Sequence, residues 1–208
     1  NPGWRKRWDE RFGTVVHRPA AGGLLVHAAS VGEVLAAAPF VQAFRKRHPD
    51  IPLIITTFTP TGSEQVRRIF GEGVFHLYLP FDLHWLQRRL LRALRPGAVV
   101  MMETELWPNL LAECERRKIP VLLANARLSE SSARGYARFA ALTRPMLQRL
   151  AVVAVQNAHD GQRFLQLGLP EQRLDVTGSV KFDLDVPEQA EAAGAGLRAQ
   201  WGSERTVL

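Results

Sequence analysis

Short apolar runs alternate along this chain with longer stretches of helical periodicity. Residues 24–28, 53–57, 75–79, 98–102, 121–124, 151–155 and 174–177 read as strands, and a further one begins at 205–208. Between them, 33–48, 63–71, 82–94, 108–117, 131–149 and 159–167 carry apolar positions at helical spacing. The runs are nearly continuous in Val, Ile and Leu, which marks strands covered on both faces, and strands that alternate with helices pair in parallel. The pattern predicts an α/β, Rossmann-like, doubly wound domain: a parallel sheet with helices on both faces.

Local signals set the boundaries. Thr61 and Glu64 have the spacing of a capping box. Asp82 precedes HWLQRRLLRAL as a helix cap, and Pro96-Gly97 ends that helix. Pro108 suits a first helical position, and Pro39 predicts a kink in the first long helix. The Ala/Gly-rich stretch 185–196 reads as a connector, and the length fits one large domain or a domain plus an extension.

A share of 46% hydrophobic residues in 208 is enough for a full core. The formal net charge is +7 and is carried mostly by arginine, which points to anionic partners: phosphates, nucleic acid or an acidic membrane surface. The basic residues are not interleaved with aromatics in a nucleic-acid-binding motif, so nucleic acid ranks last among these. Cys114 is the single cysteine, which excludes an internal disulfide, and its helical surroundings make it a packing residue. No run reaches the roughly 20 apolar residues that cross a bilayer, and no signal peptide stands out. The chain opens NPGWRKRWDERFG without Met, so a preceding segment is expected to have been removed.

The candidate chemistry follows the strands. The first leads into His27, Ser30 and Glu33, with Glu33 in the first turn of the next helix, where the dipole favours an ionised acid. A carboxylate facing the crevice at the strand ends is suited to act as a general base; the alternative is an ordinary helix-terminal acid. The second strand leads into TTFTPTG, in which Thr56, Thr57, Thr59 and Thr61 either bind a phosphate at a helix terminus or finish a strand and cap a helix. Glu103 and Glu105 follow the fourth strand, with Trp107 as packing. Arg127 follows the fifth and either grips an anion or pairs with Glu130. Gly178 to Lys181 follow the seventh. In a parallel sheet all these ends share one edge. Competing motifs are absent or weak: there is no glycine-rich phosphate loop and no zinc spacing, and Asp183-Leu184-Asp185 is a three-residue match that chance supplies. The helix 82–94 either covers the sheet with a solvated polar side or rests Trp85, Arg88, Arg89, Arg92 and Arg95 on anionic lipid.

Taken in order and spacing, HAASVGE, TTFTPTG, YLPFD, ETELWPN, NARLS and TGSVKFD resemble the family of 3-deoxy-D-manno-octulosonic acid (Kdo) transferases of lipopolysaccharide synthesis. The resemblance runs from about Glu10 to about Asp183. It implies the N-terminal, acceptor-binding half of a GT-B glycosyltransferase, in which two Rossmann-like domains face each other across a cleft. It further implies Kdo transfer from CMP-Kdo to a lipid A precursor with inversion, no cofactor and no obligatory metal. On this basis Glu33 is the general base. Glu103, Glu105 and Arg127 belong to the cleft, with His27, Ser30, Thr57 and Lys181 as further substrate-binding members. The expected location is the cytoplasmic face of the bacterial inner membrane, peripheral or anchored through a preceding segment. The resemblance also implies an acceptor-binding domain over 1–184 and a connector with the start of a donor domain over 185–208. The family's apolar N-terminal anchor and the rest of the donor domain are expected to lie outside this sequence, and the chain alone is expected to be inactive. An acceptor-binding or membrane-docking module without chemistry of its own is the alternative from another class.

Overall fold

The computed structural model of the protein describes residues 7–180. Seven strands, β1 (Leu24–His27), β2 (Leu53–Thr57), β3 (Phe75–Tyr78), β4 (Ala98–Met102), β5 (Val121–Ala126), β6 (Val152–Val155) and β7 (Leu174–Val176), form one sheet in the order β3-β2-β1-β4-β5-β6-β7. Every neighbouring pair is parallel, with Leu24 level with Leu53 on one side and Ala98 on the other. Side chains alternate between two cores, as the period of two requires. Leu25, Ile54, Val99 and Met101 face one, and Leu24, Val26, Ile55 and Val100 face the other.

Eight helices surround the sheet: α1 (Trp8–Arg11), α2 (Val31–Arg47), α3 (Pro60–Phe70), α4 (His84–Leu94), α5 (Pro108–Arg116), α6 (Glu130–Arg138), α7 (Ala140–Leu147) and α8 (Ala158–Gln166). Val34, Val41 and Val66 of α2 and α3 fill one core. Leu90, Leu111, Leu147 and Phe164 of α4, α5, α7 and α8 fill the other. The faces follow from chirality. Crossovers between parallel strands are right-handed, so stepping outward from β1 in one direction puts helices on one face, and stepping from β4 in the other direction puts them on the opposite face. Cys114 lies wholly buried in α5, and burial pushes its thiol up to about 12, which makes it the packing residue expected.

The element types agree with the sequence pattern; several details do not. The cap of α3 is Thr59, whose Oγ1 accepts the Gly62 N–H at 3.1 Å. Pro60 occupies the first helical position, where its fixed φ is already helical, so Thr61 lies inside the helix and makes no capping box. Asp82 does not cap α4, which begins after Leu83 with no side-chain cap. Its carboxylate reaches α5 instead and accepts the N–H groups of Asn109 at 2.8 Å and Leu110 at 3.0 Å. The stretch 131–149 is two helices, α6 and α7, that meet at Phe139. Pro39 sits inside α2, which runs on to Arg47. The expected strand at 205–208, the connector at 185–196, the boundary at 184 and Lys181 lie outside the described residues.

The four-residue α1, which the periodicity did not reveal, is clamped to the sheet. Arg11 is buried; its guanidinium lies 4.4 Å from the Tyr78 ring centroid and 5.0 Å from that of Phe58, and donates to the Phe58 carbonyl at 2.8 Å. Glu10 accepts the Tyr78 N–H at 2.7 Å, and Arg7 binds Glu10, Ser63 and the His76 carbonyl.

Asp82→Ala should leave two first-turn donors of α5 without their partner and cost about 1–2 kcal/mol. Urea unfolding measures this; an unchanged midpoint would mean that the Asp82 cap contributes nothing.

Candidate active site

β1 and β4 lie side by side, yet the chain leaves them toward opposite faces of the sheet. A crevice therefore opens outside their carboxyl ends, the position where open α/β sheets bind ligands. The segments that follow the two strands, 28–33 and 103–107, border it.

Glu33 is held by its own helix terminus. Ser30 is the N-cap of α2, and its hydroxyl both accepts from the Glu33 N–H at 3.5 Å and donates to Glu33 Oε1 at 2.8 Å. Oε2 accepts the Ala29 N–H at 2.8 Å. This is a variant of the capping box in which the acid reaches the N–H of the residue before the cap, so the helix-acid role and a fixed carboxylate coexist. The side chain is 7% exposed. Burial is the main influence on its acidity and pushes the carboxyl up to about 7; the bonds from Ser30 and Ala29 pull the other way, and the charges of Glu105 and Glu103 add to the rise. The preference of a helix N-terminus for an ionised acid does not decide its state here. Desolvation outweighs it, and the group sits near neutrality, where a general base accepts and releases a proton readily.

Glu103 adopts left-handed backbone geometry at φ 56°, and Asn125 at the end of β5 does so at φ 54°. Glu103 donates its N–H to the carbonyl of Ala124, so two strained residues adjoin at the strand ends, the kind of feature that collects at functional sites. Glu105 accepts the Trp107 indole N–H at 2.9 Å. The Trp107 ring meets His27 edge-on at 5.6 Å and Phe58 at 5.3 Å, so the clamp from α1 continues through Phe58 to the residues flanking Glu33.

The remaining expected residues divide. His27 is fully buried at the end of β1, with Nδ1 within reach of the Thr56 carbonyl (3.2 Å) and hydroxyl (3.0 Å). Burial lowers its pKa to about 4, so it is neutral at physiological pH. Thr57 is also buried. Its hydroxyl, His27 Nε2 and Asn125 Nδ2 are buried polar atoms with no hydrogen-bond partner among the described residues. Arg127 is exposed just after β5, and its carbonyl accepts the Thr104 hydroxyl. Of the two roles open to Arg127, the ion pair with Glu130 is not formed; Glu130 pairs with Arg134 one turn along α6. Thr59 donates its hydroxyl to the Ala29 carbonyl at 3.0 Å, and a Cβ on Gly62 would lie 3.2 Å from the Ala29 carbonyl oxygen and 3.3 Å from the Ser30 carbonyl carbon, so the glycine of TTFTPTG lets α3 approach the Glu33 loop. The structure thus brings Ser30, Glu33, Glu103 and Glu105 together around the crevice, keeps His27 and Thr57 beneath it, and leaves Arg127 at the rim. Sequence reasoning missed Phe58 as the link to α1. It also missed Tyr136, a half-buried phenol on α6 whose acidity is lowered by burial and by the charge of Glu105.

The model of the 3-deoxy-D-manno-octulosonic-acid transferase (kdotransferase) family matches residues 6–184. The chain belongs to the Kdo transferase family. Among curated relatives, it is 40% identical over 209 residues to the 3-deoxy-D-manno-octulosonic acid transferase of Haemophilus influenzae, covering 100% of this chain and 49% of that protein. It is 37% identical to that of Bordetella pertussis, covering 89% of this chain and 44% of that one. A probable mitochondrial member from Arabidopsis thaliana is 31% identical over 85% of this chain and 40% of its own length. The chain therefore spans about half the length of the curated relatives it matches. Among solved structures, the UDP-GlcNAc 2-epimerase of Neisseria meningitidis superposes with a TM-score of 0.59 at 13% identity, over 86% of this chain and 55% of that one. At that identity the likeness concerns the Rossmann-like fold.

Glu33 carries a pH signature. Its folded pKa lies above the ordinary 4.5, so its contribution to stability is complete below pH 4.5 and is lost as pH rises through about 7. Relative to the parent, Glu33→Gln should gain stability across that window, by up to about 3 kcal/mol, and level off above it. Chemical unfolding at a series of pH values measures the difference; a difference independent of pH would show an unperturbed carboxyl.

Proposed function

We propose that this chain is the acceptor-binding half of a two-domain GT-B enzyme that transfers Kdo from CMP-Kdo to a lipid A precursor with inversion. Glu33 acts as the general base. The observation that carries the proposal is a fixed, desolvated carboxyl with a pKa of about 7 at the crevice between β1 and β4. Membership of a family of Kdo glycosyltransferases supports the reaction class.

In this reading a sugar hydroxyl of the acceptor approaches Glu33 from the crevice. One carboxylate oxygen takes the hydroxyl proton while the oxygen attacks the anomeric carbon of Kdo; the bond to CMP breaks, and its electron pair leaves on the phosphate. The Ala29 N–H and Ser30 hydroxyl keep the carboxylate oriented, and they stabilise its ionised form enough for it to reload after each proton transfer. Glu103 and Glu105 hold acceptor hydroxyls and keep the affinity of Glu33 for a proton high. Arg127 and Lys181 serve anionic groups of the substrates, Ser30 borders the crevice, and the buried Thr57 and His27 support it from beneath. The donor-binding half corresponds to the part of the relatives that this chain does not span. The lipid acceptor places the enzyme at the cytoplasmic face of the bacterial inner membrane. Among the described residues no helix is long and apolar enough to cross a bilayer.

In a full-length enzyme carrying this chain, Glu33→Gln should lower kcat by about 10²–10⁴-fold while the protein stays folded. The parent should lose activity below about pH 7 as the base becomes protonated. Transfer within a few-fold of the parent would overturn Glu33 as base. A second reading, an acceptor-binding module without turnover of its own, is favoured for the isolated 208 residues by their half-length span. Incubating them with CMP-Kdo and the lipid acceptor separates the two, since product formation excludes a pure binding module.

A further inference from the structure

A second concave site lies away from the crevice. The segment that follows α1 runs alongside α4, and between them is a cavity of about 610 Å³. Arg18, Arg88, Arg89 and Arg92 line it with Trp85 and Gly13, and among the described residues its lining holds no carboxylate. Among the described residues none of the four guanidinium groups forms an ion pair, although seven other ion pairs are present. Bringing four like charges around one hollow is unfavourable unless an anion occupies it. Arginine is the residue whose planar donor fork matches a phosphate, and all four cations here are arginines.

The hollow is built into the fold. Gly13 has a φ of +72°, and a Cβ there would lie 3.1 Å from the Leu86 carbonyl and 3.6 Å from the Arg89 side chain, so a glycine is what lets the segment lie this close to α4. α4 is anchored from beneath by buried Leu86, Leu90, Leu91 and Leu94, which turns Trp85, Arg88, Arg89 and Arg92 outward. Trp85 is 56% exposed, and the exposed Leu83 precedes it. The Trp8, Phe12 and Phe81 rings pack against one another just before the Gly13 segment, and Trp8 and Phe12 are exposed. Exposed indoles beside arginines suit the headgroup level of a bilayer.

We propose that the hollow between residues 13–18 and α4 is a discrete binding site for the phosphate of an anionic membrane lipid, with Trp85 seated at the headgroup level beside it. The proposal rests on the membrane setting of the reading above. Its readout, vesicle binding without any sugar donor, fails separately from the transferase reading.

The test is sedimentation of the chain with vesicles of phosphatidylcholine alone and of phosphatidylcholine with phosphatidylglycerol in equal parts. Binding should require the anionic lipid. The double variant Arg88→Gln/Arg92→Gln should weaken it about tenfold or more, on the scale of membrane-surface basic residues. Lys46→Gln/Arg47→Gln removes the same charge from the exposed end of α2 and should change binding by less than about threefold. Equal losses in the two double variants would mean a diffuse field and overturn a discrete site. No preference for anionic vesicles would overturn the lipid assignment, even if calorimetry showed inorganic phosphate binding to the parent and not to the arginine variant. Matching thermal melts for all three proteins confirm that both pairs of substitutions are local.

Discussion

The reversal of winding between β1 and β4 is the constraint on which the site depends. Because crossovers keep one hand, α2 and α5 leave adjacent strands for opposite faces, and a crevice opens at their carboxyl ends. A side chain in the first turn of α2 is thereby placed at an opening, although it is hydrogen-bonded like any capping residue. The Ala29 N–H and Ser30 hydroxyl fix Glu33 and favour its charge; burial and two neighbouring carboxylates oppose that charge more strongly. The resulting near-neutral acid is a product of opposed interactions that all arise from the same turn and its neighbour.

A seam of rings and charge connects this turn to the start of the chain. Arg11 lies over Phe58 and Tyr78, Phe58 packs on Trp107, and Trp107 meets His27 and donates to Glu105. The segment before β1 is thus part of the support of the site. The same segment continues through Gly13 to form one wall of the arginine hollow. One stretch of about a dozen residues accordingly touches both the crevice and the surface suited to lipid phosphates.

The sheet, its parallel pairing and the two-sided helices were legible because buried strands and amphipathic helices leave strong periodic signals, and boundaries such as 53–57 and 98–102 agree residue for residue with β2 and β4. The rim position of Glu33 was legible for the same reason: it follows from strand direction alone. What local patterns could not carry was partnership across the chain. Asp82 looked like the cap of the helix that follows it, yet its partners are Asn109 and Leu110, 27 and 28 residues away. Arg127 had Glu130 nearby, but Arg134 on the next helical turn holds that carboxylate. Tyr136 sits in no motif, and Phe58, though inside TTFTPTG, enters the site only through its packing on Trp107 and Arg11. The helix-terminal position of Glu33 did not show how deeply it is buried, since the degree of burial is a tertiary quantity.

The most direct measurement is a carbon NMR titration of the Glu33 side-chain carboxyl in protein labelled at glutamate, with Glu33→Gln to assign the resonance. A midpoint near 7 is expected from burial beside Glu103 and Glu105. A midpoint near the ordinary 4.5 would show a solvated helix-capping acid and contradict its role as the poised base of the crevice.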